Sequence, residues 1–270
     1  WIGANIQSDL TSPGSARSYL VSVRPRVIKP NNAIEDLELA TAIGAQLGKS
    51  ISALAPSELE TLKGLEVTRS KIKDLSGLEY AINLTELNLG NTQSTVLGTL
   101  AGKIKQDWLW LNGNQITDLS SLARLTELKG LNLSGNQITD LTPLAESTQL
   151  TELWLNDNRI TDISSLAGLT ELKGLNLSGN QITDLTPLAE LTKLTELWLD
   201  GNRITDVSPL AELSRLEGLN LNGNQITDLT PLEGLINLKE LHLRWGYESD
   251  SITIDQIEML KKALPKFCAI

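Results

Sequence analysis

The sequence predicts an α/β solenoid. A parallel β-sheet forms one face, 3₁₀ turns and loops return along the other, and helices close both ends. Three features of the 270 residues predict it. A motif recurs every 22 residues, each copy contains an alternating apolar and polar stretch typical of a short strand, and helical apolar patterns flank the repeats. The length is sufficient for one large domain of this kind.

The repeat follows the pattern Leu-x-x-Leu-x-Leu-x-x-Asn-x-Ile. Alternation around the paired Leu residues predicts a strand with one face buried and the other exposed. One such rung cannot bury its apolar face alone, whereas stacked rungs share a continuous core. Residues 129–172 and 173–216 match at most positions, which indicates duplication of a two-rung unit. The middle Leu of the motif falls at Leu65, Leu87, Leu109, Leu131, Leu153, Leu175, Leu197, Leu219 and Leu241.

Three residue types recur at fixed places after each strand. A buried Asn can satisfy backbone groups of its turn, so stacked Asn residues predict a ladder. Each Asp can bond the backbone of its own turn, a role that we favour over calcium binding. Pro on the return side fits a 3₁₀ turn or loop, which tolerates a missing donor. These positions are Asn114, Asn136, Asn158, Asn180, Asn202 and Asn224; Asp118, Asp140, Asp162, Asp184, Asp206 and Asp228; and Pro143, Pro187, Pro209 and Pro231.

Helical patterns at the two ends predict caps for the open solenoid. An apolar stripe predicts a helix over 34–48, and Ser57 with Glu60 forms a capping-box pattern for a second, short helix. Thr253 and Gln256 likewise predict the start of a C-terminal helix. We therefore expect a flexible arm or linker at 1–26, a helical cap at 27–61, about nine repeats over 62–250 and a helical cap at 251–270.

These motifs resemble the leucine-rich repeat family, and specifically the 22-residue bacterial repeats of internalins, over about 62–245. The segment 27–67 is similar to the helical N-terminal cap of internalins. The predicted C-terminal helix departs from their pattern, because internalins continue into an immunoglobulin-like domain. The resemblance implies a right-handed horseshoe with its parallel sheet on the concave side, which is the usual binding surface of the family.

The exposed positions of the predicted strands alternate between Gly-x-Asn and Glu-x-Trp rungs. Trp110, Trp154 and Trp198 form a stripe with one Trp on every second rung, so the Trp residues repeat every ~10 Å. Trp is over-represented at binding hot spots, which favours a binding role. The alternative is structural, because Trp154 could lie over Gly130 or Gly174 of a neighbouring rung and cover its backbone.

Acidic side chains accompany this stripe and suit a partner with basic and apolar groups, although an acidic surface also serves solubility alone. One stretch, 92–107, departs from the repeat and loses the motif Asn at Thr92, through either function or decay. We predict that the partner-binding residues are Trp108, Trp110, Glu152, Trp154, Glu196, Trp198, Asp200 and His242.

Composition argues against several other functions. A net charge of −10 argues against nucleic acid, whose phosphates require a basic face. One His and one Cys exclude a multi-ligand zinc site and an internal disulfide, and His242 and Cys268 make an improbable catalytic pair. No apolar run reaches the ~18 residues of a membrane span. We expect no catalysis, cofactor, metal or membrane insertion.

Three functions remain open. The first is a protein-binding module that recognises a basic or apolar patch of its partner; the internalin resemblance implies a secreted or cell-surface protein, with adhesion as one possible role. The second is a glycan-binding module that uses the Trp stripe. The third is an intracellular regulatory scaffold, since the repeats also resemble those of bacterial signalling proteins. We predict the first, in a monomeric protein.

Overall fold

The computed structural model describes residues 33–72, 74–93, 107–243 and 252–264, all within one compact unit, Asn31–Ile270. Nine strands in this part of the chain form one parallel sheet in chain order. They are β1 (Gly64–Glu66), β2 (Glu86–Asn88), β3 (Trp108–Trp110), β4 (Gly130–Asn132), β5 (Glu152–Trp154), β6 (Gly174–Asn176), β7 (Glu196–Trp198), β8 (Gly218–Asn220) and β9 (Glu240–His242). The predicted Leu column pairs in register from Leu65 to Leu241, which confirms the solenoid and its rungs.

The return side of the solenoid consists of 3₁₀ turns, and the four predicted Pro residues each stand in one of them. In every regular rung the repeat Asp accepts a hydrogen bond from the backbone N–H two residues later, as Asp140 does from Thr142 at 2.8 Å. This confirms the turn role. Hydrogen bonds from Thr side chains and backbone lower the pKa of Asp140, Asp184 and Asp228.

The predicted Asn ladder is confirmed. Asn180 donates to the carbonyl oxygens of Leu155 and Leu177, both at 3.0 Å, and accepts from the Ile160 N–H at 3.0 Å. Equivalent hydrogen bonds recur at the other motif Asn residues. The Leu155 carbonyl oxygen, for example, accepts from the Asn of its own rung, Asn158, and from the Asn of the next rung, Asn180. Thr92 is fully buried, and its Oγ1 lies 2.9 Å from the Leu89 oxygen. It therefore continues the ladder where the motif loses its Asn.

Two helices precede the sheet. Helix α1 (Leu37–Leu47) begins after Asp36, whose carboxylate accepts from the Leu39 N–H, and ends at Gly48 with φ of 64°. Helix α2 (Pro56–Leu59) begins after Ala55, which provides no side-chain cap. The predicted capping box is therefore wrong, because Ser57 lies inside the helix.

Helix α3 (Ile254–Ala263) follows the sheet and packs against the last 3₁₀ turn, Thr230–Gly234. Its N-cap is Thr253, which accepts from the Gln256 N–H at 3.3 Å, as predicted. No helix in the described ranges is both long and apolar enough to cross a bilayer. Three predicted segments lie partly or wholly outside the described residues. They are the arm at 1–26, residues 94–106 of the irregular stretch 92–107, and the residues after 264.

Candidate functional site

The candidate site is the concave face, which we define by the first and third residue of each strand. Because the middle Leu of every strand faces the core, these two positions are left for solvent. Pairing in register places equivalent positions side by side, so that Trp108, Gly130 and Glu152 are neighbours in one row. The other row runs from Trp110 through Asn132 and continues to Trp198 and beyond.

Three indole rings meet on this face and form what we call the aromatic cluster: Trp108, Trp110 and Trp154. The rings of Trp108 and Trp110 are stacked, with centroids 5.5 Å apart and planes 17° apart. The ring of Trp154 lies 6.1 Å from that of Trp108, at 42°. All three are half-buried. The cluster thus combines rings locked by mutual contact with apolar surface open to a partner.

Trp198 lies in the same row as Trp154, two strands further along, and is also half-buried. The ring contacts found among the described residues join the three members of the aromatic cluster. The prediction of an evenly spaced stripe is therefore incomplete, because Trp108 of the neighbouring row contacts the rings of Trp110 and Trp154.

The sheet glycines are covered by side chains of the preceding strand. A Cβ at Gly130 would lie 2.1 Å from Cε3 of Trp108, and a Cβ at Gly174 would lie 2.1 Å from Oε2 of Glu152. Glu196 covers Gly218 in the same way. The closest covering atoms therefore come from Trp108, Glu152 and Glu196. This corrects the alternative that assigned the covering of Gly130 or Gly174 to Trp154.

The covering carboxylates are electrostatically unfavourable. Burial raises the pKa of Glu152, and the nearby Lys173 ammonium opposes the rise. Burial also raises the pKa of Glu196, with further contributions from the negative charges of Glu240 and Glu217. Partial loss of water destabilises each charge, so a cation brought by a partner would be favoured beside them.

The remaining predicted site residues lie apart from the aromatic cluster. Asp200 follows β7, and its Oδ1 accepts from Ser178 Oγ at 2.5 Å and Asn220 Nδ2 at 3.0 Å. This oxygen holds neighbouring rungs together. His242 is exposed on β9, with Nε2 3.9 Å from Oε2 of Glu240. The structure thus brings together Trp108, Trp110, Trp154 and Glu152, and leaves His242 four strands away.

A hollow at the N-terminal end of the face escaped the sequence analysis. It has a volume of about 370 Å³ and is lined by Gln46, Gly64, Leu65, Glu66, Glu86, Asn88 and Trp110. The signal that could have revealed it is positional. Gly64 stands on β1, and in the part of the chain that the structure describes no earlier strand supplies a covering side chain.

The described residues contain no group of three or more His, Cys, Asp or Glu side chains arranged to hold a metal ion. His242 stands on an exposed strand, and Cys268 lies outside the described residues. The concave face therefore presents aromatic rings and carboxylates side by side, an arrangement suited to contact with a partner.

Comparisons with known proteins agree with this architecture. A family model described as leucine-rich repeats (two copies) matches residues 107–146, 148–190, 170–212, 192–233 and 214–262. Internalin C2 of Listeria monocytogenes is 41% identical over 79% of this chain and 96% of its own, with a TM-score of 0.75. The internalin InlF of the same organism is 32% identical over 89% and 85%, with a TM-score of 0.56.

A plant peptide hormone receptor, RGFR1 in complex with RGF2, shares the fold at 23% identity, over 70% of this chain and 34% of its own, with a TM-score of 0.59. No curated protein sequence gave a significant match. The repeat matches cover more than half of the chain, and internalin C2 is matched over nearly its whole length. The chain therefore belongs to the leucine-rich repeat family, as an internalin-like member.

Proposed function

We propose that this chain is a non-catalytic module that binds a partner protein through the concave face, with the aromatic cluster at the centre of the contact. Leucine-rich repeat proteins are protein-interaction modules. The observation that carries the proposal is the contact of the Trp108 ring with the rings of Trp110 and Trp154, all three half-buried on the sheet. Rigid aromatic anchors lose little conformational entropy on binding and dominate hot spots.

The chemistry of this surface favours a partner with apolar and basic groups. The rings supply apolar area, whereas Glu152 and Glu196 present partly desolvated charges beside them. A Lys or Arg side chain of the partner placed beside either carboxylate would stabilise its charge. Trp108 supports the surface from within, because it covers Gly130 and holds two other rings.

The glycan alternative finds less support in the geometry. Stacking on alternate sugars of one chain requires separate rings, whereas the rings of Trp110 and Trp154 both contact the Trp108 ring, at centroid distances of 5.5 and 6.1 Å. The internalin kinship supports a secreted or cell-surface location over the intracellular scaffold.

The test is a selection of peptide ligands from a displayed random library on the intact protein, with the Trp154→Ala variant as the counter-target. We expect enrichment of peptides with basic and apolar residues. Their dissociation constants should rise about thirtyfold on Trp154→Ala, the effect of losing a hot-spot residue.

The matched control is Ile236→Ala, which removes an exposed apolar side chain outside the strands. It should leave the affinity unchanged. Thermal unfolding of both variants establishes that the fold is intact. Unchanged affinity with a lowered melting temperature for Trp154→Ala would refute the proposal and assign the ring to stability. Binding to a glycan array in place of peptides would favour the second function.

A further inference from the structure

One sheet glycine, Gly64, has no side chain packed closely over it. The glycines of β4, β6 and β8 each lie under a side chain, whose nearest atom is 2.0 or 2.1 Å from the position of an added Cβ. At Gly64 the nearest atoms belong to Glu86, at 3.9 and 4.0 Å. In β4, β6 and β8 the covering side chain comes from the preceding strand, and among the described residues no strand precedes β1. The hollow described above is the space that such a side chain would fill.

The walls of this hollow are built by the first helix and the first three strands. Gln46 at the end of α1 donates a hydrogen bond to the Gly64 carbonyl oxygen and closes one side. The third residues of β1, β2 and β3, which are Glu66, Asn88 and Trp110, lie in one row. Glu86 lies beside Gly64 in the other row. The volume of about 370 Å³ falls within the range of ligand sites, ~300–1,000 Å³.

The charges of the hollow are uncompensated. Glu66 and Glu86 are exposed, and within the described ranges neither carboxylate has a hydrogen bond or an ion pair with another side chain. The opposite wall is the half-buried ring of Trp110. The side-chain oxygen of Asn88 accepts a hydrogen bond from the Gly90 N–H at 3.0 Å, so this oxygen belongs to the turn at the end of the strand. Two carboxylates opposite an aromatic face are complementary to a cation.

A planar cation fits these walls better than a spherical one. A guanidinium group stacks on an aromatic face and donates in its plane to carboxylates, whereas an ammonium is compact and strongly hydrated. The aliphatic stem of an arginine can also lie along the uncovered backbone at Gly64. Arginine is therefore the side chain that satisfies the ring, the carboxylates and the open glycine together.

We infer that the hollow over Gly64 receives an arginine side chain of the partner protein, with its guanidinium against Trp110 and between Glu66 and Glu86. The identity of the donor as a partner protein rests on the proposed function. The hollow shares Trp110 with the aromatic cluster, but Trp154 lies two strands beyond Trp110 and does not line the hollow. Occupancy of the hollow can therefore be tested without that partner.

The experiment is a titration of the protein with N-acetyl-arginine amide, followed by the indole N–H resonance of Trp110. A Trp110→Phe variant assigns this resonance. We expect a saturable shift with N-acetyl-arginine amide. N-acetyl-citrulline amide, which has a similar shape without the charge, should bind at least about fivefold more weakly at equal chloride concentration. The lysine analogue should fall between the two, since it supplies charge without a plane.

Two variants locate the site. Gly64→Leu should abolish the shift by filling the hollow; an added Cβ meets no atom closer than 3.9 Å, so the fold should persist, as thermal unfolding will check. The double variant Glu66→Gln and Glu86→Gln should weaken binding about fivefold or more. Glu127→Gln, an exposed charge change outside the strands, should have no effect.

The outcomes separate this inference from the proposed function. Equal binding of the arginine and citrulline amides, or a shift that survives Gly64→Leu, would overturn the arginine pocket. In that case, selected peptides whose affinity still depends on Trp154 would leave the proposed function standing. Arginine binding at Trp110 without any dependence of peptide affinity on Trp154 would support the pocket and refute the aromatic surface.

Discussion

Alanine substitution at the sheet glycines should produce effects of opposite sign, depending on what covers each position. Gly130 lies under a Trp ring and Gly174 and Gly218 lie under Glu carboxylates, whereas a Cβ at Gly64 would meet no atom closer than 3.9 Å. None of these four has a positive φ, so Ala is compatible with each backbone. The series therefore isolates the covering side chain as the variable.

Gly130→Ala should destabilise the protein. The new Cβ would lie 2.1, 2.3 and 2.5 Å from ring atoms of Trp108, so the ring must move away from Trp110 and Trp154. Two aromatic contacts at about 0.5–1.5 kcal/mol each amount to a loss of about 1–3 kcal/mol. Replacing a strand Gly by Ala returns about 0.5–1 kcal/mol. At the midpoints of these two ranges the net loss is about 1 kcal/mol, which corresponds to about 2–4 °C in melting temperature for a domain of this size.

Gly174→Ala should be neutral or stabilising. Its Cβ would meet the carboxylate of Glu152 at 2.1 Å, and this flexible end can turn into water at little cost. The released carboxylate is rehydrated, which removes the burial that raises its pKa. The gain from Ala then remains, about 0.5–1 kcal/mol. Gly64→Ala should behave in the same way.

The assay is urea and thermal unfolding of the four single variants followed by circular dichroism. The stacked rings of Trp108 and Trp110 should also give an exciton signal in the far-ultraviolet spectrum, and Gly130→Ala should weaken it. The reasoning is refuted if Gly130→Ala is as stable as Gly174→Ala and keeps the exciton signal. It is equally refuted if all four variants lose the same stability.

Two further predictions concern the ladder and the carboxylates. Asn180→Ala should lower the free energy of unfolding by about 3 kcal/mol, because the Ile160 N–H loses its partner and two hydrogen bonds to shared carbonyl oxygens are lost. The control is Asn176→Ala, which removes one half-buried hydrogen bond from the Ser178 N–H. It should lower the free energy of unfolding by about 1 kcal/mol in the same urea titration. Glu152→Gln should raise stability at pH 7 by less than about 1 kcal/mol, because the folded-state pKa of Glu152 is raised and its charge is partly screened. This advantage should shrink as the pH falls through the raised pKa towards the ordinary value of 4.5, and a constant or growing advantage would contradict the assignment.

The solenoid could be predicted from the sequence because each rung repeats the same local problem. The Leu column, the Asn ladder and the Asp turns follow from residue type and period, and neighbouring rungs supply identical surroundings. The wrong capping box at Ser57 has a local cause, since Pro56 starts the short helix and its N-cap, Ala55, lies two residues before the predicted one. The 22-residue repeat does not extend to the N-terminal cap, so it gives no information about where a cap helix begins.

The site was harder to predict because side-chain direction is not encoded in the period. Register places Trp108 and Glu152 equally close to Gly130, on either side of it. Only the common lean of the side chains towards the following strand decides that Trp108 covers it. The same lean leaves Gly64 open. Both features depend on three-dimensional direction, so neither could be read from the spacing of residue types.

Trp108 shows where a periodic surface acquires an individual site. From β4 to β9 its row alternates Gly and Glu, and Glu86 occupies that row on β2. A Glu at position 108 would continue the acidic covering without gathering rings. Trp at this one position instead contacts both Trp110 and Trp154, which its neighbours in the row cannot do. Trp154 and Trp198 occupy copies of the duplicated unit, yet the ring contact with Trp108 falls on Trp154. We therefore expect the specificity of the concave face to be concentrated where the alternation is broken, at Trp108 and Trp110 of β3.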